Sequence, residues 1–167
     1  MDPNVALFTT KIPHHSSHSG YEQLIKNVAS NEVHARMRTN TQELVKLTTE
    51  RLARRFAASR WYQWDGIQTE YKTLQLVKRK GNNLIAHFLY GDTAIGLLPY
   101  INPWLPGKIV LSIHACPVDL PEVLQYPCVL KRVDHFILLG SNQKPFFMEH
   151  GVPENNLTVI PHGVDTS

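Results

Sequence analysis

From residue 84 onward, short apolar runs alternate with segments of helical character, and that alternation constrains the fold more than any other feature of the chain. "NLIAHFLY" reads as a strand, and "TAIGLLPYINPWLPG" as a helix broken by prolines. "KIVLSIHA" is a strand, "LPEVLQYPCVLKRV" a helix interrupted at Pro127, and "HFILLGS" a strand. "NQKPFFMEHG" is a short helix and "LTVI" the final strand. The apolar runs lack period-two alternation, the pattern of parallel strands covered on both faces. The expectation is an α/β fold with a doubly wound, mostly parallel, Rossmann-like sheet. A chain of 167 residues, 43% hydrophobic, suits one such domain. No repeat or low-complexity tract competes with it.

The first half is less regular. "VALFTT" is a buried first strand, and "KIPHHSSHSG" breaks it with Pro, Ser and Gly. "YEQLIKNVAS" reads as a helix with Ser19 as N-cap and Glu22 as its capping-box partner. A long helical pattern is expected from about Glu32 to Arg60, with Leu44, Thr48, Leu52 and Phe56 on one stripe beside Arg51, Arg54 and Arg55. "WYQWDG" ends it, and "IQTEYKTLQLVKRKG" forms another helix stopped by Gly81.

Between Glu32 and Lys80 there are eleven Lys and Arg against five Asp and Glu, while the formal charge of the whole chain is only +3. That total is too small to point to nucleic acid. A basic segment on a mildly acidic body suggests a local anionic partner such as phosphates or lipid headgroups, or else a solvated helix face. Cys116 and Cys128 follow neither metal nor disulfide spacing and are expected as reduced thiols. There is no basic-then-apolar leader and no apolar run of spanning length, so a cytoplasmic location is expected. The Asn156-Leu157-Thr158 sequon is then fortuitous.

In open parallel sheets, ligands sit in the crevice at the carboxyl ends of the strands. The residues just past each strand are His14 to Gly20, Gly91-Asp92, His114 to Pro117, Ser141-Asn142 and His162-Gly163. Gly20 opens a helix whose backbone N–H groups could meet a phosphate or sugar hydroxyl. No GxGxxG occurs, which disfavours a nicotinamide or flavin domain. His14, His15 and His18 lack acidic or cysteine partners nearby, so no metal is expected there. His114, at the end of the strand expected to be most central, could hydrogen-bond a substrate hydroxyl or stabilise developing charge. Asp92, Asp119 and Asp165 are scattered, with no paired carboxylates, nucleophile elbow or P-loop. Read from residues alone, this is a ligand-binding α/β domain without a self-sufficient active site.

Four stretches carry a resemblance to the N-terminal domain of retaining glycosyltransferases of GT-B fold, the family 4 group that uses nucleotide-sugar donors. "HHSSHSGYEQL" is similar to the family's glycine loop, with Gly20 and Glu22 matching and Ser19 replacing the first glycine. "LSIHACP" is similar to its strand ending in histidine. "KRVDHFILLGSN" resembles its helix–Asp–strand–Ser segment through Asp134 and Ser141. "GVPENNLTVIPHGVDTS" resembles its closing signature, with His162 where asparagine is usual.

The resemblance implies transfer of a sugar from a nucleoside-diphosphate sugar to a carbohydrate or lipid acceptor, with anomeric configuration retained. His114 would be the catalytic contact to the donor sugar. Ser19, Gly20, Tyr21, Glu22, Asp92, Ser141, Asn142 and Gly163 would line the substrate cleft. No metal or other cofactor is implied. Residues 1–167 would form the acceptor-side domain, with a basic helical segment at about 32–80, truncated before the C-terminal donor-binding domain, which would be absent here and supplied, if at all, by a separate chain. A binding module without turnover is the alternative. For "RLARRFAASRWYQW" two readings stand: contact with an anionic membrane from the cytoplasmic side, or an amphipathic helix packed on the sheet with Trp61 and Trp64 in the core.

Overall fold

A computed structural model describes residues 4–8, 32–34, 43–62 and 64–161. Among the described residues, six strands form one sheet: β1 (Asn4–Phe8), β2 (Glu32–His34), β3 (Leu84–Phe88), β4 (Lys108–Ile113), β5 (His135–Leu138) and β6 (Leu157–Val159). Their order is β2-β1-β3-β4-β5-β6, and every pairing is parallel. The chain steps outward once, from β1 to β2, then returns past β1 and steps the other way through four consecutive strands. That reversal is the mark of a wound α/β sheet, and the domain is Rossmann-like as expected.

The described helices are α1 (Glu43–Arg54), α2 (Trp64–Lys80), α3 (Gly91–Ala94), α4 (Leu98–Ile101), α5 (Leu120–Val123) and α6 (Lys144–Glu149). α2 ends where Gly81 takes φ 61, a left-handed conformation that costs glycine little. Pro103 keeps α4 short: the chain continues as a 3-10 turn over Asn102–Trp104, because the helix ladder cannot run through a ring nitrogen. A second 3-10 segment, Pro127–Arg132, opens on a proline.

Alternate residues of β3 to β6 form the core. Leu84, Ala86 and Phe88 pack beside Ile109, Leu111 and Ile113, then Phe136 and Leu138, under Leu76, Val77, Leu98, Leu130 and Phe147. On the other face Ile85, His87, Val110, His135 and Ile137 stay half-buried.

Two expectations for the first half need correction. The helical pattern from Glu32 does not hold, because Glu32–His34 form β2, with Val33 in register with Leu7. Edge pairing overrides local preference in so short a segment. The stripe Thr48, Leu52, Phe56 does not face the core; all three are exposed. α1 instead buries Ala53, and beyond its end Ala57, against Tyr62 and Ile67.

Tyr62 also explains a requirement at Gly96. A Cβ on Gly96 would lie 2.2 Å from two ring carbons of Tyr62, and that ring is fully buried. Gly96→Ala should therefore lower stability by about 3 kcal/mol through overpacking, read as a lower urea midpoint. Gly96→Ala combined with Tyr62→Leu should recover part of the loss; no recovery would refute the steric cause.

Candidate functional site

The chain leaves the carboxyl ends of β3, β4 and β5 at Leu89, His114 and Leu139. These exits form one rim, built from local packing that the sequence makes possible. Gly91, opening α3, presses against β4 so closely that a Cβ would sit 2.8 Å from Leu111 Cβ and 2.9 Å from the Ser112 carbonyl oxygen. Only glycine allows this approach, and it brings Asp92 to the rim.

His114 is fixed from two sides. Its Nε2–H donates to the Leu89 carbonyl at 2.7 Å, which places the proton of the neutral ring on Nε2 and makes Nδ1 the basic nitrogen. The ring also packs on Tyr90, with centroids 4.9 Å apart and planes 34° off parallel. A histidine locked in this way has its orientation set before any ligand arrives.

Asp92 lies behind it and is almost fully buried. Burial pushes its carboxyl up to about 6, and the amide N–H groups of Asp92, His114 and Ala115 partly oppose the rise. Its Oδ1 has no hydrogen-bond partner, and its backbone carbonyl accepts the Ser59 hydroxyl. Asp92 therefore serves the rim from within, holding the backbone that carries His114. Burial, with the charge of Asp92 adding to it, also raises the Tyr90 phenol.

Gln143 joins the next exit to this one. Its Oε1 accepts the N–H groups of Leu139 and Gly140 at 2.7 and 3.1 Å, while its Nε2 donates to the Ala115 carbonyl at 2.8 Å. Buried and fully engaged, it sets the register between the loops after β4 and β5. Ser141 and Asn142, in the same 3-10 turn, are exposed.

The structure thus brings His114 and Asp92 together and sets Ser141 and Asn142 at the neighbouring strand exit. Ser19, Gly20, Tyr21, Glu22 and Gly163 lie outside the described residues, as do His14, His15, His18 and His162. Tyr90 and Gln143 are site residues that sequence reasoning missed. Tyr90 could have been found, since it sits two residues past a strand; nothing local marks Gln143.

At the opposite, amino end of the strands, Asp134 accepts from Ile109 N–H at 2.9 Å, Asn102 Nδ2 at 3.0 Å and Lys108 Nζ at 2.8 Å. These bonds hold its carboxyl below the ordinary range against the opposing effect of burial. It is a clamp between β4 and β5, remote from the rim. On the half-buried sheet face, His87 Nε2 meets Ser112 Oγ at 2.8 Å, and burial lowers the imidazole to about 4. No cluster of three or more His, Cys, Asp or Glu able to hold a metal occurs among the described residues.

A histidine in fixed orientation beside an aromatic ring at the carboxyl end of a strand is of a type that can hydrogen-bond a polar ligand. The same fold serves many chemistries. No family model matches the chain and no curated protein matches it in sequence, so what is shown is its fold, a Rossmann-like α/β domain with an all-parallel sheet.

Proposed function

We propose that this domain is the acceptor-side half of a retaining glycosyltransferase, moving a sugar from a nucleoside-diphosphate sugar to a carbohydrate or lipid acceptor. The observation that carries the reading is His114 at the carboxyl end of β4, orientation fixed by Leu89 and Tyr90. In this role the His114 ring meets the donor sugar and offsets charge as the glycosidic bond breaks. Ser141 and Asn142 supply polar contacts at the next exit. The groups that bind most of the nucleotide come from a second, donor-binding domain, whose closure excludes water.

The test is sugar transfer by the purified chain, alone and mixed with a separately expressed donor-binding domain, over a panel of nucleotide sugars. Activity in the mixture is expected, and His114→Ala should lower it about 100-fold, the scale of one polar catalytic group. His114→Asn, which keeps a hydrogen-bonding side chain, should retain more of it. Sugar binding by a folded chain with no turnover in either setting would replace the enzyme with a binding module.

A further inference from the structure

We propose that the outer face of α1 and α4 is a docking surface for an anionic lipid bilayer. Leu52 and Phe56 follow one another a turn apart along α1 and its end, and stand 60% and 59% exposed. Phe56 continues into an open apolar groove of about 400 Å³, lined also by Leu97, Tyr100, Ile101 and Tyr126. Trp104, one turn beyond Ile101, is 76% exposed. Large side chains left projecting in a cluster of this kind mark an interaction surface.

Its charge says what the partner is. Arg51 and Arg55 are exposed and form no ion pair among the described residues. The Arg55 carbonyl accepts the Tyr126 hydroxyl at 3.0 Å, which anchors that arginine's backbone to the groove wall. On the far side, Arg132 donates to the Tyr100 carbonyl at 3.1 Å, beside exposed Lys131. The acidic Glu50 is neutralised by Arg54 at 2.8 Å. Projecting tryptophan, phenylalanine and leucine ringed by arginines match the acyl–headgroup boundary, where aromatic rings sit at headgroup depth and guanidinium groups meet phosphates. A bilayer takes such knobs without matching their shape, whereas a folded partner would need a complementary surface for each. No helix among the described residues is long and apolar enough to cross a membrane, so the contact is peripheral. The surface is independent of the chemistry assigned to His114.

The experiment is sedimentation of the full chain with vesicles of phosphatidylcholine alone or mixed with phosphatidylglycerol, at physiological and at high salt, with tryptophan emission recorded in parallel. Binding to the anionic vesicles only, weakened by salt, with a blue shift in emission, is expected. Arg51→Glu with Arg55→Glu should weaken partition at least about 25-fold, taking roughly five-fold per arginine. Trp104→Ala should weaken it and reduce the blue shift, and circular dichroism should show both variants folded. Equal binding to neutral vesicles, or no binding to either, would overturn the proposal. So would self-association of the chain that Trp104→Ala abolishes without any vesicle binding, since the face would then pair two copies.

Discussion

Glu70→Ala should cost the domain about 4 to 5 kcal/mol, the largest loss expected from any single substitution considered. Glu70 is held on α2, almost fully buried. Its Oε1 accepts the N–H groups of Gly96 and Leu98 at 3.0 and 2.9 Å. Its Oε2 accepts the Leu97 N–H at 3.0 Å and the Tyr62 hydroxyl. One carboxyl thus closes the start of α4, which has no cap of its own, and pins the buried Tyr62. Alanine would strand three N–H donors and a phenol away from water, with a cavity beside them. Burial raises the Glu70 carboxyl, and the four hydrogen bonds pull it back down. Burial, together with the facing carboxylate, pushes the Tyr62 phenol up. Glu70→Gln keeps the shape but turns an N–H₂ toward donors, so about 2 to 3 kcal/mol should still be lost. Urea unfolding at neutral pH measures both variants. A loss below about 1 kcal/mol for alanine would show that the turn relaxes onto water or other acceptors.

The second large effect is in pH dependence, where two buried groups act with opposite sign. Asp92 moves from 3.8 to about 6 on folding, so the folded state holds its proton more tightly than the unfolded chain. Its contribution is fully present below about 3.8 and declines as pH rises through about 6. His87 moves from 6.5 to about 4, so the folded state prefers the neutral ring. Its contribution is fully present above about 6.5 and declines as pH falls toward 4. Between pH 4 and 6 the slopes oppose each other, each about 1.4 kcal/mol per pH unit at full strength. Glu70, raised by burial, adds to the sense of Asp92. Single variants separate the terms. Asp92→Asn should match the wild type at pH 4 and exceed it by about 2 to 3 kcal/mol at pH 7. His87→Gln should do the reverse, gaining on the wild type as the solution becomes acid. Urea titrations across this range decide it; curves that stay parallel for either variant would place that group in water.

Several of these features were legible in the sequence, and the reasons differ by residue. The alternation beginning at Leu84 located β3 to β6, because buried parallel strands are written as continuous apolar runs. His114 and Asp92 followed, since a strand end is readable once the strand is. β2 was not, because Glu-Val-His has no apolar run and is a strand only through its pairing with β1. The face of α1 was misread because large apolar residues at period four dominate the pattern. The helix packs through Ala53, with Ala57 just past its end, where small side chains bring Tyr62 close. Glu70 and Gln143 read as ordinary solvent-facing polar residues in a helix and a turn. Their roles depend on backbone donors 26 to 28 residues away for Glu70 and on a carbonyl 28 residues away for Gln143, which no local pattern encodes.

β6, at one edge of the sheet, is three residues long. A foreign chain that tried to extend the sheet there would find room for only one or two ladder bonds, too few to offset the ordering of its own backbone. Strand addition, the route by which open parallel sheets seed fibrils, is thereby blunted at this edge. If this chain aggregates when concentrated or warmed, the sticky element is the apolar groove beside Phe56 rather than the β6 edge, and a detergent or lipid surface that covers that groove would keep it dispersed.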